Sequence, residues 1–425
     1  MNLLKTTLEN GLTVVLRETH SAPVASVWIW YRVGSRNEHL GITGISHWVE
    51  HMMFKGTERW PRQKLDQAIA REGGYLNAMT WYDFTAYFET LPSAKAYMAL
   101  DIESDRMANA LFDPDEVAAE RTVIISERQG NENDPTFLLD EELSAAAFRV
   151  HPYGHDTIGH LCDLQTMTRE DLYTHYHTYY APNNAILAAA GDFNAGEMLR
   201  MIERTFGKIA PRDTLPQVTA QEPLQKGERR VTIEGDAGTD YLALAFHTPE
   251  ATHPDIHALT ILSTVLAGGS GSLVGRGSLT NYTSRLYRAV VQSEIAADVS
   301  ASLIPSVDPN LYRISATVLP EHSPAEVENA IRAEINTIRT TPITAEELAK
   351  AKRQARALFA FSSESITNQA FWLGYSEIFA DTSWFLRYLE KLETVTIEDV
   401  LRVADTYLRP QNITVGHYLS NQGEH

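Results

Sequence analysis

The sequence predicts an α+β protein built from two homologous copies of one unit, and three observations lead there. Short apolar runs of strand type interchange with longer stretches whose apolar residues recur at helical spacing. A set of residues returns at a fixed offset. Thr168-Arg169-Glu170-Asp171-Leu172 is echoed by Thr396-Ile397-Glu398-Asp399-Val400, and Tyr179 to Asn184 by Tyr407 to Asn412. Asp171 to Asp399, Pro182 to Pro410 and Asn184 to Asn412 are each separated by 228 positions. The chain has 425 residues, 44% apolar and 21% charged, enough for two cored units of about 200 residues each. The units read as residues 1–210 and 229–425. They are joined by a linker over 211–228, where Pro, Gln and Thr stand without periodicity.

In chain order, Asn10-Gly11 marks a turn before strands over Leu12 to Arg17 and Val24 to Val33. A helix follows from about Ile45, with Thr43 and Ser46 as candidate caps and Gly56 as its stop. Ile45, Trp48, Val49 and Met52 give it an apolar side. Lys64 to Arg71 reads as a second helix ending at Gly73-Gly74. Tyr75 to Trp81 and Thr85 to Leu91 are extended, and Ala94 to Ala110 is helical. Asp113-Pro114-Asp115-Glu116 opens the next helix, with proline and acids in its first turn. Thr168 caps a further helix, and Ala185 to Ala190 is a strand closed by Gly191. Gly268 to Gly277 resembles a phosphate loop at a glance. Arg276 stands where such a loop needs Lys followed by Ser or Thr, so it reads as a flexible loop.

The first of these helices carries His47-x-x-Glu50-His51. Two histidines four apart share one helix face and can bind one metal ion, with a carboxylate between them able to reach water on it. This is H-E-x-x-H in inverted order. Such a site needs a third ligand. Glu120 and Glu127 lie seven apart on the later helix and point the same way; isolated glutamates there would ordinarily face solvent. His151, His155, His175 and His177 lack an i, i+4 pair with an adjacent acid and read as loop and helix-surface residues. The second copy has lost the chemistry. Asp255 to Leu266 offers only His257, and counting from Thr344 puts Ala351 and Leu358 where the two glutamates stood.

Lys plus Arg number 36 against 55 Asp plus Glu, a formal charge of -19, which argues against nucleic acid as a partner. Cys162 is the only cysteine, which excludes both an intrachain disulfide and a Cys-based zinc site. Neither a signal peptide nor a run of 18 apolar residues stands out. The expectation is a cytoplasmic protein without membrane segments, or a periplasmic one if a leader has been removed.

With His47-x-x-Glu50-His51, Glu127 76 positions beyond His51 and a duplicated α+β unit, the chain resembles the M16 metallopeptidases. That family includes pitrilysin, insulin-degrading enzyme and the mitochondrial processing peptidase. Glu9-Asn10-Gly11-Leu12, Gly56-Thr57, Asn77-Ala78 and Glu120-Arg121 add to the likeness, which covers essentially the whole chain. It implies an M16/LuxS-like fold, each unit a mostly antiparallel sheet packed against helices. It also implies one zinc ion per chain on His47, His51 and Glu127, with Glu50 as the base and Glu120 orienting a ligand. Asn77 and Ala78 would lie on an edge strand that accepts a peptide or unfolded polypeptide as a further strand.

The sequence departs from the family at one point. An Arg with a Tyr seven residues later normally follows a Ser-Arg-Leu-aromatic segment. Ser284-Arg285-Leu286-Tyr287 is present, but Val291, Ala297 and Asp298 stand where the pair belongs. The expected function is a zinc endopeptidase working as the zinc-bearing subunit of a heterodimer, whose homologous M16 partner supplies Arg and Tyr. A homodimeric zinc peptidase and a non-catalytic peptide-binding or scaffold subunit are the alternatives.

Overall fold

The computed structural model describes residues 3–213, 215–268 and 282–421. The Gly268–Gly277 loop reading lies, apart from Gly268, outside the described residues. The chain forms two compact units that are not contiguous stretches. One comprises Met1–Gln129, His155–Ala220 and Ser363–Phe385; the other comprises Gly130–Gly154, Gln221–Ser362 and Leu386–His425. No helix among the described residues is long and apolar enough to cross a membrane.

The first unit holds a six-stranded sheet of β1 (Leu3–Thr7), β2 (Thr13–Glu18), β3 (Val24–Tyr31), β4 (Tyr75–Thr80), β5 (Thr85–Pro92) and β6 (Ala185–Gly191). The order is β1-β2-β6-β3-β5-β4, with β2 and β6 parallel and the other neighbours antiparallel. β3 is apolar on both faces because both are covered. Its alternate residues Trp28 and Trp30 meet Phe371 of the Ile366–Phe379 helix, while Tyr31 on the opposite face meets Tyr87 and Tyr180. Ten of that helix's 14 residues are buried. Gly374 lets it sit close: a Cβ there would stand 2.0 Å from Trp30 Nε1.

The second unit holds β7 (Arg229–Gly235), β8 (Tyr241–Thr248), β9 (Ala296–Leu303), β10 (Asn310–Val318) and β11 (Ile413–Ser420) in the order β7-β11-β8-β10-β9, with β7 and β11 parallel. Its core joins this sheet to the Ile256–Ala267, Pro324–Thr340, Ala345–Ser362 and Ile397–Tyr407 helices. The Pro135–Ala147 helix, from the first half of the chain, belongs to this unit. Arg229 donates to the carbonyl of Ala146 at 2.8 Å and to that of Ala147, placing a guanidinium at the helix C-terminus. Each half of the chain thus lends one helix to the other half's unit.

The duplication is visible in matching local chemistry. Thr168 with Asp171 and Thr396 with Asp399 form the same reciprocal capping box. Asn184 Nδ2 donates to the carbonyl of Tyr179 at 2.9 Å, and Asn412 Nδ2 to that of Tyr407 at 2.7 Å. The Pro114–Asn131 and Ala345–Ser362 helices are both 18 residues long, which sets Ala351 against Glu120 and Leu358 against Glu127.

Glu328 is buried in the second unit and accepts from Arg230 (2.5 and 3.0 Å), Arg332 (2.7 Å) and His417 Nε2 (2.8 Å). Burial alone would raise its pKa, but His417 and the two guanidiniums outweigh it and hold the carboxyl below its ordinary 4.5. A folded-state pKa below the unfolded one stabilises the fold above about pH 4.5, and that stability is lost as pH falls through the acid range. The Tm gap between wild type and Glu328→Gln should therefore be full at pH 7 and close progressively below pH 4.5. A gap constant down to pH 3 would contradict this.

Candidate metal centre

The motif lies on the nine-residue helix Ile45–Met53. Its start is set by Gly44 at φ 85°, where a Cβ would strike the carbonyl oxygen of Ile158 at 2.3 Å. Neither Thr43 nor Ser46 caps it. Buried Glu38 accepts from the backbone N–H groups of Gly44 and Ser46, each at 2.8 Å, so a carboxylate satisfies the first turn from outside the helix. Asp163 holds the approach, accepting from Gly41 N–H and Thr43 N–H at 3.0 Å and from the Thr43 hydroxyl at 2.6 Å.

The reading of His175 as a helix-surface residue is corrected, since it is buried; His151 and His155 lie in a loop, as expected, but are buried there. His155 is buried with Nε2 3.0 Å from Glu38, and His175 is buried with Nε2 3.2 Å from the Ser46 hydroxyl. His151 is buried in the second unit, 3.0 Å from Asp308. Each pairs with a partner distant in sequence, which local spacing does not reveal.

His47, His51 and Glu127 converge, their ligand atoms all within 4.8 Å of one another. His47 Nε2 lies 3.9 Å from Glu127 Oε1, and His51 Nε2 lies 3.6 Å from Glu127 Oε2. Nitrogen and oxygen ligands about 2.0–2.2 Å from a tetrahedral zinc stand about 3.3–3.5 Å apart, so both histidine–glutamate separations come close to that spacing, and two histidines with one carboxylate are a donor set that suits zinc. The side chain of Glu127 is 42% exposed. The buried carboxylate of the pair is Glu120, at 6% exposure.

Glu120 Oε1 is 2.8 Å from His51 Nδ1, which leaves His51 Nε2 free to face Glu127. A carboxylate behind a histidine in this way fixes the ring and raises its basicity. Lys55, just past the helix end, pairs with the same carboxylate. Burial would raise the Glu120 pKa, but His51 and Lys55 overcome it and hold the acid at about 2. Burial lowers His51, yet its bond to Glu120 and the charges of Glu50 and Glu127 leave it raised. Burial and the neighbouring His51 push His47 down to about 4, so at neutral pH it offers a lone pair. Glu50 is 8% exposed, and burial lifts it to about 7 against the pull of Thr80 and His51.

The Arg121 guanidinium lies over Trp48, 4.8 Å from the ring centroid, joining the glutamate helix to the motif helix. Asn77 and Ala78 lie on β4, the edge of the sheet. The Asn77 side chain accepts from Ala78 N–H at 2.9 Å and donates to the Tyr75 hydroxyl at 2.8 Å. Nothing in the sequence marks Lys55, Glu38 or Asp163 as part of the site, and Arg121 stands out only through the family likeness. Lys55 stands four residues past His51, one turn beyond it.

Residues 13–160 match Insulinase (Peptidase family M16), and residues 166–355 match the Peptidase M16 inactive domain. The zinc protease PqqE of Helicobacter pylori is 28% identical over 413 residues, covering 96% of this chain and 90% of that protein. A probable mitochondrial-processing peptidase subunit beta of Arabidopsis thaliana is 33% identical over 313 residues, covering 73% of this chain and 58% of that one. The crystal structure of a protease from Helicobacter pylori superposes with a TM-score of 0.92 at 27% identity, covering 98% of this chain and 99% of that one. The expected family, two-unit α+β fold and enzyme class are borne out: the chain belongs to peptidase family M16 and is a zinc metallopeptidase.

Proposed function

We propose that His47, His51 and Glu127 hold one zinc ion per chain, that Glu50 is the general base, and that Glu120 orients His51. The convergence of three ligand atoms within 4.8 Å, with Glu120 behind His51, carries this reading. Zinc held by these residues would supply a Lewis acid that lowers the pKa of water and polarises a peptide carbonyl. Glu50, buried beside the ligand residues, takes a proton from the attacking water and returns it to the leaving amine. Two histidines and one glutamate match the three-ligand donor set of hydrolytic zinc sites.

Substrate binds as an extended strand on the open edge of β4, at Asn77 and Ala78. Backbone pairing of that kind holds peptides of varied sequence. The Ala78 N–H, which Asn77 covers, is a donor that such a strand would engage.

The chain works with a second M16 subunit that brings the Arg and Tyr absent after Tyr287, since a tetrahedral oxyanion needs donors besides zinc. The likeness to a probable processing-peptidase beta subunit supports this. Purified from its native cell, the chain is expected to bring along a homologous subunit with an Arg–Tyr pair. That assembly should cleave unfolded casein, stop on chelation and recover with added zinc. Equal turnover by this chain alone contradicts the partner assignment.

A further inference from the structure

β4 does more than present an edge. Its side chains alternate, so Thr80 points to the same face as Ala78, and this strand end packs against the motif helix. Thr80 Oγ1 lies 2.7 Å from Glu50 Oε2, and both residues are buried, at 9% and 8% exposure. The Thr80 hydroxyl has one proton and two neighbours that could accept it. Thr85 Oγ1, its cross-strand partner, is at 3.5 Å, too long to compete with the carboxylate. Thr85 is itself committed, donating to the carbonyl of Val33 at 2.9 Å. Among the described residues, Thr80 is the one hydrogen-bond donor to the Glu50 side chain.

We propose that Thr80 is the positioning residue for Glu50. Its hydroxyl holds Oε2 and so fixes the plane of the carboxylate, leaving Oε1 to meet the water and the leaving amine. The proposal rests on Glu50 being the base. A carboxylate ends in a torsion with a broad minimum, so without a partner it turns freely. One short hydrogen bond from a side chain fixed on a strand removes that freedom. Because Thr80 is two residues from Ala78, the strand that holds the peptide also holds the base, and the two keep their spacing when the strand shifts.

The test compares Thr80→Val, Thr80→Ser and Glu50→Gln in the active assembly, using an internally quenched basic peptide, with zinc content measured in parallel. Thr80→Val keeps the shape and removes the hydroxyl. It is expected to lower kcat about 10- to 100-fold, the cost of a misplaced catalytic group, while KM and zinc content stay within about twofold. Thr80→Ser keeps the hydroxyl and should stay within about threefold of wild type. Wild-type kcat in Thr80→Val overturns the proposal. So does a serine variant as slow as the valine one, since the methyl would then be what matters. If the valine variant loses zinc, Thr80→Ala replaces it, with the same loss of kcat expected and wild-type kcat again overturning the role. Activity in Glu50→Gln overturns the base assignment itself. An inactive Glu50→Gln beside a fully active Thr80→Val overturns only the role of Thr80.

Discussion

Glu50→Gln is expected to keep zinc and fold and to lower kcat by about 10²- to 10⁴-fold, the range over which a positioned acid–base group contributes. Glutamine matches the shape of glutamate and can still bond to Thr80, but it cannot accept the proton from water at neutral pH. Glu50 is also not one of the converging ligand residues, so metal content should not change. The loss should fall on kcat more than on KM, because proton transfer is a transition-state event. Zinc analysis beside steady-state kinetics on the assembly checks both halves. A variant that cleaves at the wild-type rate removes Glu50 from the mechanism.

The second large effect is on stability. Arg106 is fully buried between two buried carboxylates, paired with Glu103 and 3.5 Å from Glu89, and its guanidinium lies 4.7 Å from the centroid of Tyr87. One cation between two acids leaves a net negative charge that the interior resists. Burial first, and the charge of Glu103 next, push the Glu89 carboxyl well above the usual range, which favours its protonated form. Arg106→Met strips the cation from this group and is expected to cost about 3–5 kcal/mol, the penalty for orphaning a buried charge. Glu89→Gln mimics the protonated acid and should cost under about 1 kcal/mol. Urea unfolding followed by the fluorescence of buried Trp28 and Trp30 distinguishes them. Equal losses would mean that Glu89 is ionised in the fold. The Tyr87 hydroxyl is 2.9 Å from that of Tyr180. Both lie on the face of the sheet that carries the motif helix, so loss of Arg106 should also loosen the cluster of His47, His51 and Glu127.

What the sequence reveals of this molecule follows the range of its interactions. The H-x-x-E-H spacing is a property of one helix turn, and the capping boxes at Thr168 and Thr396 are complete within four residues. Such features can be read from neighbours in the chain. Glu127 needs a second helix, and only the likeness to a family singles it out. The exchange of the Pro135–Ala147 and Ile366–Phe379 helices leaves no local sign, because each satisfies its own backbone and only its apolar surface decides which sheet it covers. The same holds for Glu38 with His155 and for Ser46 with His175, which read as ordinary polar residues until the fold buries them together.

Zinc content after single ligand replacements tests the central claim most directly. Metal analysis of the purified chain should find one zinc per wild-type and Glu50→Gln molecule. It should find little in His47→Ala, His51→Ala or Glu127→Ala, because two remaining ligands hold the ion too weakly to survive purification. Full zinc occupancy in Glu127→Ala, with both histidines intact, would contradict the site described.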